Sequence, residues 1–187
     1  MSERNHTSTS EAEAREAVDA LRALHAEIDR EAERVAAQHG DRLRCGRGCS
    51  ACCLDDLSVK EVEAARIREA HPQLLREGQA GPAGACAFLD GEGACRIYAD
   101  RPSVCRSQGL PLRVFYEDGD EIVERRDICP LNVEGGPPLE ALDEEACWLV
   151  GPFELRLATI DARHAAATGR GGDGDVRVAL RSLFADG

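Results

Sequence analysis

Hydrophobic residues near the N terminus recur at three- and four-residue steps, the spacing of one face of an α-helix. The repeat runs through Val18, Leu21, His25, Ile28, Ala32 and Val35. Ser10 with Glu13 forms a capping-box pattern before it, and Gly40 ends it. The pattern predicts an amphipathic helix over residues 10–40 that follows a polar, disordered segment at residues 1–9. We expect its apolar stripe to be core, although a helix this long can also form a dimer seam.

A second helix is predicted downstream of a short, cysteine-rich loop. Ser58 with Glu61 repeats the capping-box pattern, and hydrophobic residues follow at helical spacing. The helix should end near His71-Pro72, because proline disfavours the α conformation of the residue that precedes it. Helices therefore flank the loop on both sides.

The clearest strand signal is a β-hairpin in the middle of the chain. Residues 112–117 and 121–125 flank the turn sequence Asp118-Gly119-Asp120. A second short pair, residues 86–89 and 95–98, flanks a turn at residues 90–93. Both pairs are short relative to the predicted helices.

Beyond a Gly-Gly-Pro-Pro break, helical patterns are predicted through residues 135–187, one of them containing Cys147. The Gly-rich segment 169–174 matches GxGxxG literally, but no strand precedes it, so it is interpreted as a linker. The predicted fold is mostly α with a small β-hairpin. We expect a single domain, with a cysteine-rich region at residues 41–134, a long N-terminal helix before it and the C-terminal helices packing on it.

Composition narrows the classes of partner. The chain has 187 residues, of which only 4% are aromatic, so something besides large rings should stabilise a one-domain core. A net charge of −12 disfavours nucleic acid and anionic membrane surfaces. With no export or membrane-spanning pattern, we expect a cytoplasmic monomer or homodimer with a protein or small-molecule partner.

Nine cysteines dominate the candidate chemistry. Their number is odd and the expected compartment is reducing, so metal binding is favoured over a disulfide framework. Cys147 stands apart and is interpreted as a free, non-ligand thiol. The expected metal ligands are Cys45, Cys49, Cys52, Cys53, Cys86, Cys95, Cys105 and Cys129.

The spacing of the first cysteines limits what each can do. Cys45, Cys49 and Cys52 read CxxxCxxC, which can place three thiols around one centre. Cys53 is different, because adjacent side chains point about 100° apart in a helix and about 180° apart in a strand. Cys52 and Cys53 should therefore serve different roles, and one centre or two remain possible.

No histidine lies within these motifs, so an all-thiolate site favours iron–sulfur or zinc. Positive charge near the cysteines would lower thiolate pKa values and offset the negative charge of the site. The arginines nearby are Arg42, Arg44, Arg47, Arg96, Arg101 and Arg106. Alternatively, they are surface residues paired with Asp41, Asp55, Asp56 and Asp100.

The ordered cysteine motifs resemble the YkgJ family of cysteine-cluster proteins, zinc- or iron-chelating domains named for a CxxCxxCC pattern. The segments that carry the resemblance are Cys45-Gly-Arg-Gly-Cys49-Ser-Ala-Cys52-Cys53, Cys86-Ala-Phe-Leu, Cys95-Arg-Ile-Tyr98, Arg101-Pro102-Ser-Val-Cys105-Arg106 and Cys129-Pro130-Leu131-Asn132. The resemblance covers about residues 42–132 and implies a metal or iron–sulfur centre. A related domain in the flagellin lysine methylase points to methyl-transfer or redox chemistry.

Several functions fit the cysteine pattern. An iron–sulfur cluster is expected first and structural zinc second, followed by free thiols or redox disulfides. Radical S-adenosylmethionine enzymes also use CxxxCxxC, but this chain is too short for a full β/α barrel. An enzyme would leave one cluster corner open, with a substrate anion held by Arg101 or Arg106. A binding or delivery module would instead present a complete cluster to solvent.

Overall fold

The computed structural model describes residues 3–46, 48–170 and 176–184. Arg47 and most of the predicted 169–174 linker lie outside these ranges. The α-helices are α1 (Glu3–Ala36), α2 (Glu61–Ala70), α3 (Pro72–Glu77), α4 (Ser103–Arg106) and α5 (Pro152–Ala167). The strands are β1 (Ser58–Lys60), β2 (Leu112–Asp118), β3 (Glu121–Asp127), β4 (Trp148–Leu149) and β5 (Arg177–Ala179).

Helix α1 confirms the predicted apolar stripe but starts earlier than predicted. Leu21, Leu24 and Val35 are fully buried and Ile28 is 1% exposed, so the stripe is core. The helix begins at Glu3, and Ser10 lies inside it. No proline or glycine interrupts the preceding residues, so each added residue extends the backbone hydrogen-bond series at little cost.

The second predicted helix forms, with its start shifted. Residues 58–60 are strand β1, and the backbone N–H of Lys60 donates to the Glu63 carboxylate at 3.2 Å, so the first turn of α2 is stabilised two residues later than predicted. The predicted end is confirmed, because α2 stops at Ala70 and Pro72 begins α3.

The chain divides into two compact units. Unit 1 contains residues 1–24, 47–102 and 156–187, and unit 2 contains residues 25–46 and 103–155. Each unit therefore combines segments that are far apart along the chain.

Unit 1 is built around one apolar cluster and a two-stranded sheet. Strand β1 pairs with β5 in antiparallel register, with Val59 opposite Val178. The final segment was predicted as helix, but β5 precedes a 3-10 turn at Leu180–Phe184. The buried core residues are Val59, Ala64, Ile67, Leu75, Cys86, Phe88, Leu89, Ile97, Leu180 and Leu183.

Unit 2 contains the predicted hairpin, which the structure confirms. Strands β2 and β3 pair antiparallel, and Gly119 in their turn has a φ of 65°, which glycine adopts without strain. The predicted helix around Cys147 is wrong: β4 follows there and pairs parallel with β2. The backbone N–H of Trp148 donates to Pro111 O at 2.8 Å. This N–H is therefore not available for a hydrogen bond within a helix.

No helix in the described ranges is both long enough and apolar enough to cross a bilayer.

Candidate metal centre

Three thiols of unit 1 lie at its apolar core. Cys86 is 8% exposed and belongs to the core cluster, and Cys53 and Cys95 are half-buried and pack against that cluster. The backbone N–H of Cys86 donates to Cys53 O at 2.9 Å. This bond holds the early cysteine loop against the segment that carries the later thiols.

A tight turn brings Cys86 and Cys95 into neighbouring segments, as the sequence predicted. Leu89 and Cys95 form an antiparallel bridge. The Asp90 carboxylate accepts the backbone N–H groups of Glu92 at 2.9 Å and Ala94 at 2.8 Å, which closes the turn. The turn thereby fixes the spacing of the two cysteine backbones.

The unit 1 thiols influence one another electrostatically. Burial is the main cause that raises the pKa of the Cys53 thiol to about 12, and the ionisation of the neighbouring Cys52, Cys86 and Cys95 contributes to this rise. Burial also raises the pKa of Cys95, with Cys86 adding to the shift and Arg101 and Arg96 opposing it. The four thiols therefore share one neighbourhood, in which a bound cation would favour the thiolate forms.

Adjacent cysteines in the loop have different surroundings, as their geometry predicts. Cys52 is exposed, whereas Cys53 contacts the core. Cys49 is half-buried in the same loop. A Cβ added at Gly93 would lie 3.5 Å from Gly48 O, so this part of the loop lies against the 90–94 turn.

In unit 2, the Cys45 sulfur lies in a small cradle. The side-chain amide of Asn132 donates to Cys45 Sγ at 3.4 Å and to Gly109 O at 2.8 Å. A Cβ at Gly109 would overlap the sulfur, and the φ of 93° at Gly109 also favours glycine. The glycine therefore lets the backbone approach this thiol closely.

Asn132 also connects the segments that carry Cys105 and Cys129, two further cysteines of unit 2. Its backbone N–H donates to Cys129 O at 2.8 Å, and Gly109 follows closely after α4, which carries Cys105. Asn132 is fully buried. Sequence reasoning gave Asn132 no role, although its place three residues after Cys129 was the available signal.

The arginines have individual roles. The Arg106 side chain is 2% exposed, and its guanidinium lies 2.5 Å from the Asp29 carboxylate. Arg106 was predicted to hold a substrate anion, and here its guanidinium pairs with this carboxylate instead. Arg101 lies over the exposed Tyr98 ring at 4.2 Å. Of the expected acidic partners, Asp100 instead binds Arg66 and His71.

Asp55 likewise pairs with an arginine outside the expected set, Arg181. Arg42 is buried and donates to three backbone carbonyls, those of Asn132, Val133 and Pro137. It is therefore a support for the loop that carries Asn132, not a surface charge.

The donor chemistry fits zinc or iron. Cys53, Cys86 and Cys95 are thiols that lie at one apolar core, and Cys45 is an exposed thiol that lies close to the backbone of Gly109. Among residues 3–46, 48–170 and 176–184, no three Cys, His, Asp or Glu side chains yet converge on one point as metal ligands.

Comparison with known proteins agrees with the motif order. The model of the CxxCxxCC family, described as "Putative zinc- or iron-chelating domain", matches residues 44–130. No curated protein and no solved structure matches the chain significantly. The matched segment contains the eight cysteines other than Cys147, and over these 87 of the 187 residues the chain is similar to the YkgJ-type family of cysteine-cluster proteins.

Proposed function

We propose that the chain binds an iron–sulfur cluster through cysteine thiolates. The observation that carries the proposal is the placement of Cys53, Cys86 and Cys95 together at the apolar core of unit 1. Thiolates are the usual protein ligands of such clusters. The family description as a zinc- or iron-chelating domain supports metal binding in general.

One feature supports a cluster. The positive charge of Arg96 and Arg101 near Cys95 offsets part of the negative charge that thiolates and sulfide bring.

An iron–sulfur cluster supplies one-electron transfer when bound. We propose that the centre supports redox or methyl-transfer chemistry. The chain's own residues set its surroundings. Cys53 and Cys86 would hold it from the apolar side, where Phe88 and Ile97 exclude water. Cys52 lies on the exposed side, where a partner or substrate could approach.

Structural zinc is the second candidate, and one observation favours it. Cys86 is part of the apolar core and Cys53 and Cys95 border it, so a metal that joined these thiols would tie the core together. Zinc would then compensate for the low aromatic content.

We further propose a cytoplasmic location, where reducing conditions keep thiols free. The partner would be a protein or a small molecule, with the chain acting as a monomer or homodimer. A net charge of −12 favours neither nucleic acid nor an anionic membrane.

The deciding experiment is metal analysis of anaerobically purified protein. We expect a brown protein with iron and acid-labile sulfide in comparable amounts, which bleaches in air. A Cys53→Ala, Cys86→Ala double variant should lose both. Colourless wild-type protein that retains stoichiometric zinc and no sulfide would support the zinc function and exclude the cluster.

A further inference from the structure

Every polar atom of the Asn132 residue has a partner. The backbone N–H donates to Cys129 O at 2.8 Å, and the backbone carbonyl accepts from Arg42 Nε at 2.9 Å. The side-chain oxygen Oδ1 accepts the backbone N–H of Arg44 at 2.9 Å. The side-chain nitrogen Nδ2 donates to Gly109 O and Cys45 Sγ. A buried amide with all its bonds satisfied holds a single orientation.

The orientation of the Asn132 amide determines which of its atoms contacts the Cys45 sulfur. Arg44 can only donate through its backbone N–H, so the atom of Asn132 that faces it must be the oxygen. The opposite side of the amide is therefore the NH₂ group, and one of its hydrogens points to Gly109 O. The other is directed at Cys45 Sγ, which accepts it.

The cradle leaves the sulfur little freedom on this side. Gly109 contacts it through backbone atoms, and any larger residue there would overlap it. Cys45 is otherwise an exposed residue in a loop, where a side chain would ordinarily sample several rotamers. The amide N–H and the glycine together select one of them.

We propose that Asn132 is a positioning residue that holds the Cys45 sulfur for metal binding and donates a hydrogen bond to it in the metal-bound state. This role rests on the proposed function and requires that Cys45 of unit 2 be a metal ligand in addition to the unit 1 thiols. An N–H donor stabilises the negative charge of a coordinated thiolate and fixes its direction. Removal of such a partner typically weakens metal binding about 10- to 100-fold.

The test uses cadmium-113 as the probe metal, because it binds thiolates and has a nuclear spin. In ¹⁵N-labelled full-length protein loaded with cadmium-113, we expect a scalar coupling between the metal and one Asn132 side-chain amide proton. Such a coupling passes through an N–H···S–Cd hydrogen bond, and mere packing near the metal does not produce it. Bound cadmium with no coupling at Asn132 overturns the proposal.

Matched variants supply a second measurement. Asn132→Asp keeps an oxygen for Arg44 N–H and removes the donor to sulfur, so the dissociation constant for cadmium should rise about 10- to 100-fold. Ile128→Val trims a buried side chain of the same unit and leaves every bond to the sulfur, so it should bind cadmium as the wild type does.

Equal affinities for Asn132→Asp and the wild type would also overturn the proposal. If Asn132→Asp does not fold, the wild-type coupling still decides. A wild-type chain that binds no cadmium, zinc or iron would instead overturn the proposed function, and the role of Asn132 with it.

Discussion

The backbone N–H of Cys86 donates to the carbonyl oxygen of Cys53 at 2.9 Å. This bond does not involve either sulfur. The two cysteine segments are therefore joined through their backbones, and the thiols remain available to bind a metal.

Cys52→Ser and Cys53→Ser should behave differently. Cys53→Ser places a hydroxyl against the apolar core and removes a core-side thiol, so it should abolish the main centre and cost about 1–3 kcal/mol of unfolding free energy. Cys52 is exposed, so its serine variant should leave stability nearly unchanged. Metal per chain and urea unfolding measure both effects. Equal losses in the two variants would contradict the separation of roles.

Metal removal should loosen the cysteine region from Cys45 to Cys129 more than helix α1. Site formation and folding share one free energy, and three thiols of unit 1 are part of, or adjacent to, its core. Hydrogen exchange before and after anaerobic chelation should show lost protection at residues 86–97. The amides of α1, bonded within the helix, should retain more of theirs. Unchanged protection throughout would argue against metal-dependent folding.

Cys147→Ala should keep the full metal content. Cys147 is 3% exposed and burial raises the pKa of its thiol, as expected of a small core side chain in unit 2. The substitution should cost about 1 kcal/mol of packing. Cys86→Ala is the matched comparison, because Cys86 is also a buried thiol, and it should lose metal. Equal metal losses would make Cys147 a ligand.

His164 should make stability fall as the pH falls below the histidine range. Burial lowers its pKa in the folded protein, despite the opposing charges of Glu61 and Asp161. The unfolded chain then binds the proton more readily, so this contribution is complete above about pH 6.5 and is lost below it.

Urea unfolding at about pH 7.5 and about pH 5.5 tests the histidine effect. The wild type should lose more stability between the two conditions than His164→Gln, which cannot titrate there. Identical losses in both proteins would assign the pH dependence to other groups.

Sequence patterns predicted the features that depend on neighbouring residues. The helix end at His71-Pro72 follows from proline sterics, and the turn at Gly119 follows from glycine's freedom at positive φ. The apolar stripe of α1 was predictable because helical periodicity depends on residues only three or four positions apart. The cysteine order likewise indicated the family that the comparison confirmed.

Features set by distant residues were not predictable in this way. The local sequence predicts Ser58 as a helix cap, but Ser58 lies in a strand and pairs with Ala179, far along the chain. The local sequence around Cys147 predicts helix, but Trp148 pairs in parallel with strand β2. The bond from Asn132 to Cys45 also joins residues remote in sequence. Tertiary pairing overrides local propensity at each of these sites.

The pairing of β1 with β5 has a consequence for synthesis on the ribosome. Cys53, Cys86 and Cys95 are translated well before Val178, Leu180 and Leu183, which complete the core around them. The apolar core beside these thiols would thus remain incomplete during synthesis until strand β5 emerges. An excised fragment of residues 44–130 would lack that closing strand altogether, and it should expose its cysteines to air and to adventitious metals.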